Sequence, residues 1–195
     1  MEQSLVCGVD EVARGCLFGR VYTAAVIWDT TIEHPLLKDS KKLTAKKRSE
    51  VRSFIEDNAI DFAVSYSEHT EIDKKNILRA TLECMHESIS KLNIVPEKLM
   101  IDGTQFIPYK QKGTDKYIPH ECIIKGDALY PSISAASILA KVYHDEWIHT
   151  LVKDNPELYK YGLQTNMGYG TKKHLDAIKE YGPTKWHRMS FAPMK

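Results

Sequence analysis

Leu5-Val6-Cys7-Gly8-Val9-Asp10-Glu11-Val12-Ala13-Arg14-Gly15 is the stretch on which the fold of this chain turns. The run Leu5 to Val9 reads as a short buried strand, and two adjacent carboxylates follow it. Carboxylates beside a core lose hydration and must find a cation or hydrogen-bond donors. After them comes a turn of small residues carrying one Arg. A strand, two acids and a basic turn in that order point to a site that holds a divalent metal beside a phosphate.

Working outward, a second apolar run, Val21 to Trp28, predicts a neighbouring strand, antiparallel to the first, across a link punctuated by Gly15 and Gly19. Residues 29–43 read as a polar loop. Thr44 is placed to cap a helix over 45–58, with Val51, Phe54 and Ile55 at helical spacing. Ile60 to Tyr66 reads as a third strand, and one long helix is expected over 74–92. Pro96 ends that pattern. Leu99-Met100-Ile101 then forms a buried strand ending at Asp102, and residues 103–119 a loop or hairpin. The short strand Cys122-Ile123-Ile124 is followed closely by Asp127. Pro131 opens a helix that is apolar over most of its surface and is therefore expected to be buried. Residues 155–170 read as irregular, and a basic helix follows over 171–181.

Three strands thus end at acids: Asp10 with Glu11, Asp102, and Asp127. Four carboxylates meeting at strand ends repel one another unless a cation lies between them. An all-oxygen ligand set suits Mg²⁺ or Mn²⁺. Two such ions about 3.5–4 Å apart can activate water and stabilise a leaving oxygen in phosphodiester hydrolysis. Taken singly, Asp102 or Asp127 is more simply a residue that caps a helix or pairs with an Arg; the joint pattern with Asp10-Glu11 favours a site.

Composition narrows the classes. The 195 residues are 43% hydrophobic and 27% charged, as in an ordinary globular domain. No apolar run approaches the roughly 20 residues that span a bilayer, and no secretory signal is expected at Met1-Glu2-Gln3-Ser4. Cys7, Cys16, Cys84 and Cys122 are scattered without CxxC spacing, which argues against a zinc knuckle or a disulfide framework and fits a reducing, cytoplasmic setting. The eight His form no HExxH pattern, so a zinc protease is not expected. Net charge is +1, so nucleic-acid affinity must come from local patches.

Gly8-Val-Asp-Glu-Val-Ala-Arg-Gly15 resembles the signature DEAGRG of the type 2 ribonucleases H, the ribonuclease HII family. Further stretches agree, in order: Lys38-Asp-Ser-Lys-Lys-Leu43; Asp102-Gly103 after a strand; Lys125-Gly-Asp-Ala-Leu-Tyr-Pro131 with Ser134 to Val142 and Asp145; Gly168-Tyr-Gly-Thr171; and His187-Arg-Met-Ser-Phe191. The resemblance covers nearly the whole chain. It implies an α/β fold, a ribonuclease H-like mixed sheet flanked by helices with a C-terminal helical extension. The catalytic core is expected over residues 1–150 and the extension over 151–195, within one compact unit. It implies endonucleolytic cleavage of the RNA strand of RNA/DNA hybrids and on the 5′ side of ribonucleotides embedded in duplex DNA, leaving 5′-phosphate and 3′-hydroxyl ends. It also implies two Mg²⁺ or Mn²⁺ ions held by Asp10, Glu11, Asp102 and Asp127.

Residue by residue, Ala13, Arg14 and Gly15 match the turn that reads the ribose 2′-hydroxyl and neighbouring phosphates. Tyr169 matches the tyrosine that stacks on the deoxyribose after the ribonucleotide and senses the RNA-to-DNA junction. Ser40, Lys41 and Lys42 match a phosphate-contacting motif. For Lys46, Lys47 and Arg48, phosphate contact and a solvated helix start weigh evenly. Lys141 and Asp145 read as an i,i+4 ion pair, and Lys172 and Lys173 as surface lysines. His187 and Arg188 suit packing or phosphate contact, and Ser134 and Ser137 close helix packing.

One departure matters. The first Gly of the family's GRG turn is Ala13 here, and its methyl is expected to weaken junction recognition more than metal binding. Arg20, downstream where many members carry Pro, either meets phosphate or pairs with a surface acid. The competing readings are another nuclease of the ribonuclease H-like fold, ribonuclease HIII, and a non-catalytic hybrid-binding module. A monomer is expected, and Phe191-Ala-Pro-Met-Lys195 is not a clear clamp-binding peptide.

Overall fold

Five strands make one mixed sheet in the computed structural model, which describes residues 5–35, 37 and 44–195. They are β1 (Val6–Val12), β2 (Val21–Ile27), β3 (Asp61–Ser67), β4 (Lys98–Asp102) and β5 (His120–Ile123), in the order β3-β2-β1-β4-β5. β1 pairs antiparallel with β2, and β2 with β3; β1 pairs parallel with β4, and β4 with β5.

The register corrects one expectation. Asp10 and Glu11 do not follow β1; they lie inside it, opposite Ala24 and Thr23 of β2. On the other side the parallel ladder stops at Val9 opposite Ile101. The two acids therefore stand where β1 has lost one neighbour and kept the other; Asp10 is one residue past Val9 as Asp102, the last residue of β4, is one past Ile101. A cleft opens at that divergence.

The helices are α1 (Ala45–Asn58), α2 (His69–Lys75), α3 (Ile77–Ser90), α4 (Pro131–Asp154), α5 (Leu163–Asn166) and α6 (Lys172–Tyr181). Thr44 caps α1 as expected, its hydroxyl accepting from the Lys47 amide at 3.3 Å. The single helix expected over 74–92 is two. Asn76 takes φ +68°, which stops α2, and its side chain accepts from the Arg79 amide at 3.0 Å to start α3. Asn is a good N-cap, so apolar periodicity alone ran past the break. Residues 103–119 hold only an isolated bridge, Lys110 to Tyr117. Within 155–170 the chain forms a 3₁₀ segment, Pro156–Tyr161, and α5.

α1 and α4 cover one sheet face, where Ala24, Val26, Ile55, Ile138 and Leu139 are fully buried. α3 and part of 103–119 cover the other, over Val9, Ile27, Leu82, Met85 and Ile101. Each fully buried Ile or Leu stabilises the fold by roughly 1.5–3 kcal/mol. Gly8 sets the distance between β1 and α4: a Cβ there would lie 2.3 Å from the backbone of Ser132 and Ile133. Only glycine permits that approach, which brings the rest of α4 over Asp10. A third core joins Phe18, Ile148, Leu158, Tyr161 and Ile178, packing the C-terminal segment on the second half of α4. Residue 150 lies inside α4, which continues to Asp154.

Candidate active site

Where the β1–β4 ladder opens, a cavity of about 440 Å³ is lined by Asp10, Glu11, Asp102, the turn Ala13-Arg14-Gly15, Arg48, Ser137, Lys141 and Tyr169. Successive strand side chains point to opposite faces. Asp10 accordingly faces α4, where the nearby Ser137 hydroxyl favours its charged form, while Glu11 also borders Leu78 and Thr81 of α3. The Glu11 amide donates to Asp10 Oδ1 at 2.7 Å. Asp127 sits on a 3₁₀ turn (Gly126–Ala128), only 3% exposed, entered through Lys125 at φ +57°. It is not among the residues lining the cavity. The preceding amide, Gly126, donates to Asp102 Oδ1 at 2.7 Å, which ties this turn to the end of β4.

The carboxylates are electrostatically crowded. Burial pushes the Asp10 pKa well above the usual range, and repulsion from Glu11 and Asp102 pushes it further. Burial also raises that of Glu11, opposed by Arg14, whose Nη1 lies 3.4 Å from Glu11 Oε1. A positive ion among these oxygens relieves both penalties at once, and an oxygen-only donor set suits a hard divalent ion. Among the described residues no three His, Cys, Asp or Glu side chains stand together as a ready ligand cluster; Asp10, Glu11 and Asp102 nonetheless share one cavity, and their oxygens suit a divalent ion.

The turn beside the acids is held from far away in sequence. Ala13 takes φ +72°, a left-handed backbone that glycine favours, and its methyl is buried. Arg188 is fully buried and forks onto three carbonyls: Nη1 to Arg14 at 3.0 Å, Nε to Gly19 at 2.9 Å and Nη2 to Arg20 at 2.9 Å. Burial lowers its pKa to about 10, so it stays charged at neutral pH. Arg188 thus positions the turn, which settles the sequence alternatives in favour of packing.

Tyr169 stands against this turn. Its backbone bridges Cys16, and the Leu17 amide donates to Gly168 at 2.8 Å. Gly168, at φ +85°, leaves no room for a side chain, since a Cβ would stand 3.0 Å from the Phe18 carbonyl oxygen. The ring is half-exposed, and a methyl on Gly15 would touch its edge at 3.9 Å. The backbone amide of Ala13 and the Cys16 thiol lie at the phenol, whose pKa burial pushes up to about 12. Tyr169 is therefore a neutral donor at working pH.

A cationic rim completes the cavity. Lys141 Nζ pairs with Asp145 at 2.7 Å, the expected i,i+4 bridge, and lies 5.8 Å from the Tyr169 ring centre. Asp145 also meets His144 Nδ1 at 3.0 Å and Arg48 at 3.8 Å. Arg48 reaches the cavity; Lys46 and Lys47 are exposed on α1. Arg20 does not face it: it pairs with Glu68 at 2.6 Å and stacks between Tyr66 and Trp147. Lys172 pairs with Asp176 on the surface. Ser40, Lys41 and Lys42 lie outside the described residues.

Sequence reasoning missed Ser137 and Arg188 as parts of this site. Ser137 stands on the same α4 turn as small packing residues, and its direction follows only from the Gly8 contact. Ser134, three residues earlier, does pack, its hydroxyl bonding the Leu37 carbonyl.

A mixed five-stranded sheet with carboxylates at the opening between two parallel strands, flanked by helices, is the architecture of the ribonucleases H. The structure of ribonuclease H2 from Pyrococcus horikoshii OT3 overlays with a TM-score of 0.78 at 25% identity, covering 97% of this chain and 94% of that one. The ribonuclease HII family model matches residues 7–194. Ribonuclease HII of Pelagibacter ubique is 48% identical over 97% of this chain and 97% of its own. That of Christiangramia forsetii is 46% identical over 95% and 89%. The chain belongs to the ribonuclease HII family, and is a ribonuclease H endonuclease acting on RNA/DNA hybrids. Enzymes of this class depend on divalent metal ions. No helix among the described residues is long and apolar enough to cross a membrane.

Proposed function

We propose that this enzyme cuts on the 5′ side of ribonucleotides embedded in duplex DNA, as well as within hybrids, and so serves the removal of ribonucleotides from DNA. The observation that carries the reading is that Tyr169 and the Ala13-Arg14-Gly15 turn stand side by side in the lining of the carboxylate cavity. A 2′-hydroxyl is the group that distinguishes RNA from DNA. A backbone turn can hydrogen-bond it, while the flat ring beside that turn tests the next sugar. The rival of a purely binding module has no use for three crowded acids beside a scissile phosphate.

In this reading Asp10, Glu11, Asp102 and Asp127 hold two Mg²⁺ or Mn²⁺ ions. Bound there, the ions would activate the attacking water and stabilise the departing 3′-oxygen, leaving 5′-phosphate and 3′-hydroxyl ends. Ser137 orients Asp10, and Arg14 balances Glu11 until substrate arrives. Arg48 and Lys141 supply positive charge for the flanking phosphates, with Ser40, Lys41 and Lys42 extending that contact. Residues 151–195 act as part of the same unit, carrying Tyr169 and Arg188 to the core. The enzyme acts as a monomer in the cytoplasm.

The test is an end-labelled duplex with a single ribonucleotide, incubated with Mg²⁺, Mn²⁺ or chelator, and the cut mapped. One cut immediately 5′ of the ribonucleotide, lost with chelator, supports the reading; cutting of continuous hybrid alone overturns it. Asp127→Asn is expected to fold and lose most activity, and an active variant removes Asp127 from the site.

A further inference from the structure

We propose that His174 and His187 are positioning residues for Tyr169, joined in a directional hydrogen-bond chain that sets the aromatic wall of the substrate cleft. The inference rests on the reading of Tyr169 as the residue that senses the junction. His187 and His174 lie 13 positions apart, one in the C-terminal segment and one in α6, with Nε2 atoms 3.1 Å from each other. Both side chains are fully buried.

The hydrogen positions follow from the partners. The Thr184 amide donates to His187 Nδ1 at 2.8 Å, so that nitrogen carries no proton. The His187 proton is then on Nε2 and points at His174 Nε2, which accepts it. His174 keeps its proton on Nδ1, which donates to the Tyr169 carbonyl at 3.0 Å. Each imidazole is neutral and fixed in one tautomer. The chain runs from Thr184 through both rings to the backbone of Tyr169.

Its surroundings keep it dry and rigid. Phe18 stands edge-on to His187 at 5.1 Å between ring centres, and Tyr161 lies 5.2 Å from the same ring. The Tyr169 backbone has other holds as well: it bridges Cys16, its amide donates to Asn166 at 2.9 Å and its carbonyl also accepts from Thr171 at 2.8 Å. The His174 bond couples this tyrosine to the segment bearing Arg188, which holds the adjacent turn. The tyrosine and the turn beside it are thereby held by neighbouring residues, His187 and Arg188. A small loss of alignment at Tyr169 affects the substrate that needs the junction read, and spares the continuous hybrid.

Two amide replacements at His174 separate the bonds. In His174→Asn the amide nitrogen falls near the place of Nδ1 and can still donate to Tyr169, losing His187. In His174→Gln the amide reaches toward His187 and abandons Tyr169. The readout is the ratio of kcat/KM for a duplex with one embedded ribonucleotide to that for a continuous hybrid. Thermal midpoints are measured alongside. The expected result is that His174→Gln lowers this ratio roughly 10-fold, as for loss of a group behind a functional residue, while His174→Asn keeps it near that of the unaltered enzyme. His187→Asn, which retains the Thr184 bond and drops the donor to His174, shifts the ratio the same way by less, and decides the matter if His174→Gln does not fold. Equal losses on both substrates, or an unchanged ratio in all three, overturns the proposal, given that Tyr169→Ala does change the ratio. If Tyr169→Ala leaves the ratio unchanged, the junction reading itself falls, and the histidine chain loses its function with it.

Discussion

Arg188 donates from Nη1 to the carbonyl of Arg14 at 3.0 Å, across 174 positions of sequence, while its other nitrogens hold Gly19 and Arg20. One buried guanidinium thus fixes the turn that follows Asp10 and Glu11. A charged donor bond contributes about 1.5–3 kcal/mol, and the three share one side chain.

Replacing Arg188 by Lys keeps the charge and loses the fork. We expect Arg188→Lys to lower stability by roughly 2–4 kcal/mol, less than the sum of separate bonds, and to slow cleavage even at temperatures where the variant is folded. Chemical denaturation and single-turnover rates check both effects. Unchanged rates in the folded variant would detach Arg188 from the working of the turn.

Ala13 spends conformational energy that glycine does not. At φ +72° the strain is about 1–2 kcal/mol, partly offset because glycine leaves a more disordered unfolded chain, by about 0.4–1 kcal/mol. Ala13→Gly is therefore expected to be neutral or slightly stabilising, with the preference for an embedded ribonucleotide over continuous hybrid raised. Since the turn is already left-handed with Ala, the methyl acts by its bulk rather than by refolding the turn. Equal rates on both substrates before and after the change would contradict this.

Ser137 orients the most crowded carboxylate. Ser137→Ala removes a hydroxyl and adds no bulk, so we expect a fold of near-normal stability and activity lowered by roughly 10-fold, the lower end of the range for a group behind a metal-binding residue. A larger requirement for Mg²⁺ or Mn²⁺ in the rate titration would accompany it.

Stability at mildly acid pH follows the histidines. Burial is the main cause lowering His187 from 6.5 to about 4, with His174 and His69 repelling any charge on it; burial also lowers His174 and His144. The unfolded chain then binds more protons than the folded one between about pH 4 and 6.5. Stability contributed by these neutral rings is full above pH 6.5 and is lost as pH falls towards 4. The raised carboxylates Asp10 and Glu11 act in the opposite sense, so the histidine share is read by difference: as pH falls over that window, the midpoint of His187→Asn should gain on that of the unaltered enzyme.

The strands, and the residues Asp10, Glu11, Asp102 and Tyr169 that the structure brings to one cavity, were legible because each belongs to a local pattern: an apolar run, a charge at its end, a motif of adjacent residues. The position of Asp10 within β1 was not, because the ladder to β2 continues while that to β4 stops, and no single strand records its neighbours' lengths. The break at Asn76 lay in a capping side chain hidden under helical periodicity. Ser137 and Arg188 draw their roles from contacts between distant segments, which periodicity cannot carry. Arg20 was open between phosphate and a surface acid until Glu68, 48 residues on, was placed beside it.

The most direct test of the carboxylate site is the single-turnover cleavage rate of Asp10→Asn on an RNA/DNA hybrid with Mn²⁺, with thermal midpoints taken in chelator. Removing a buried, repelled charge should raise the midpoint, while cleavage should fall by more than the roughly 10–100-fold expected for a group behind a metal-binding residue. Cleavage by Asp10→Asn at the rate of the unaltered enzyme would contradict the account.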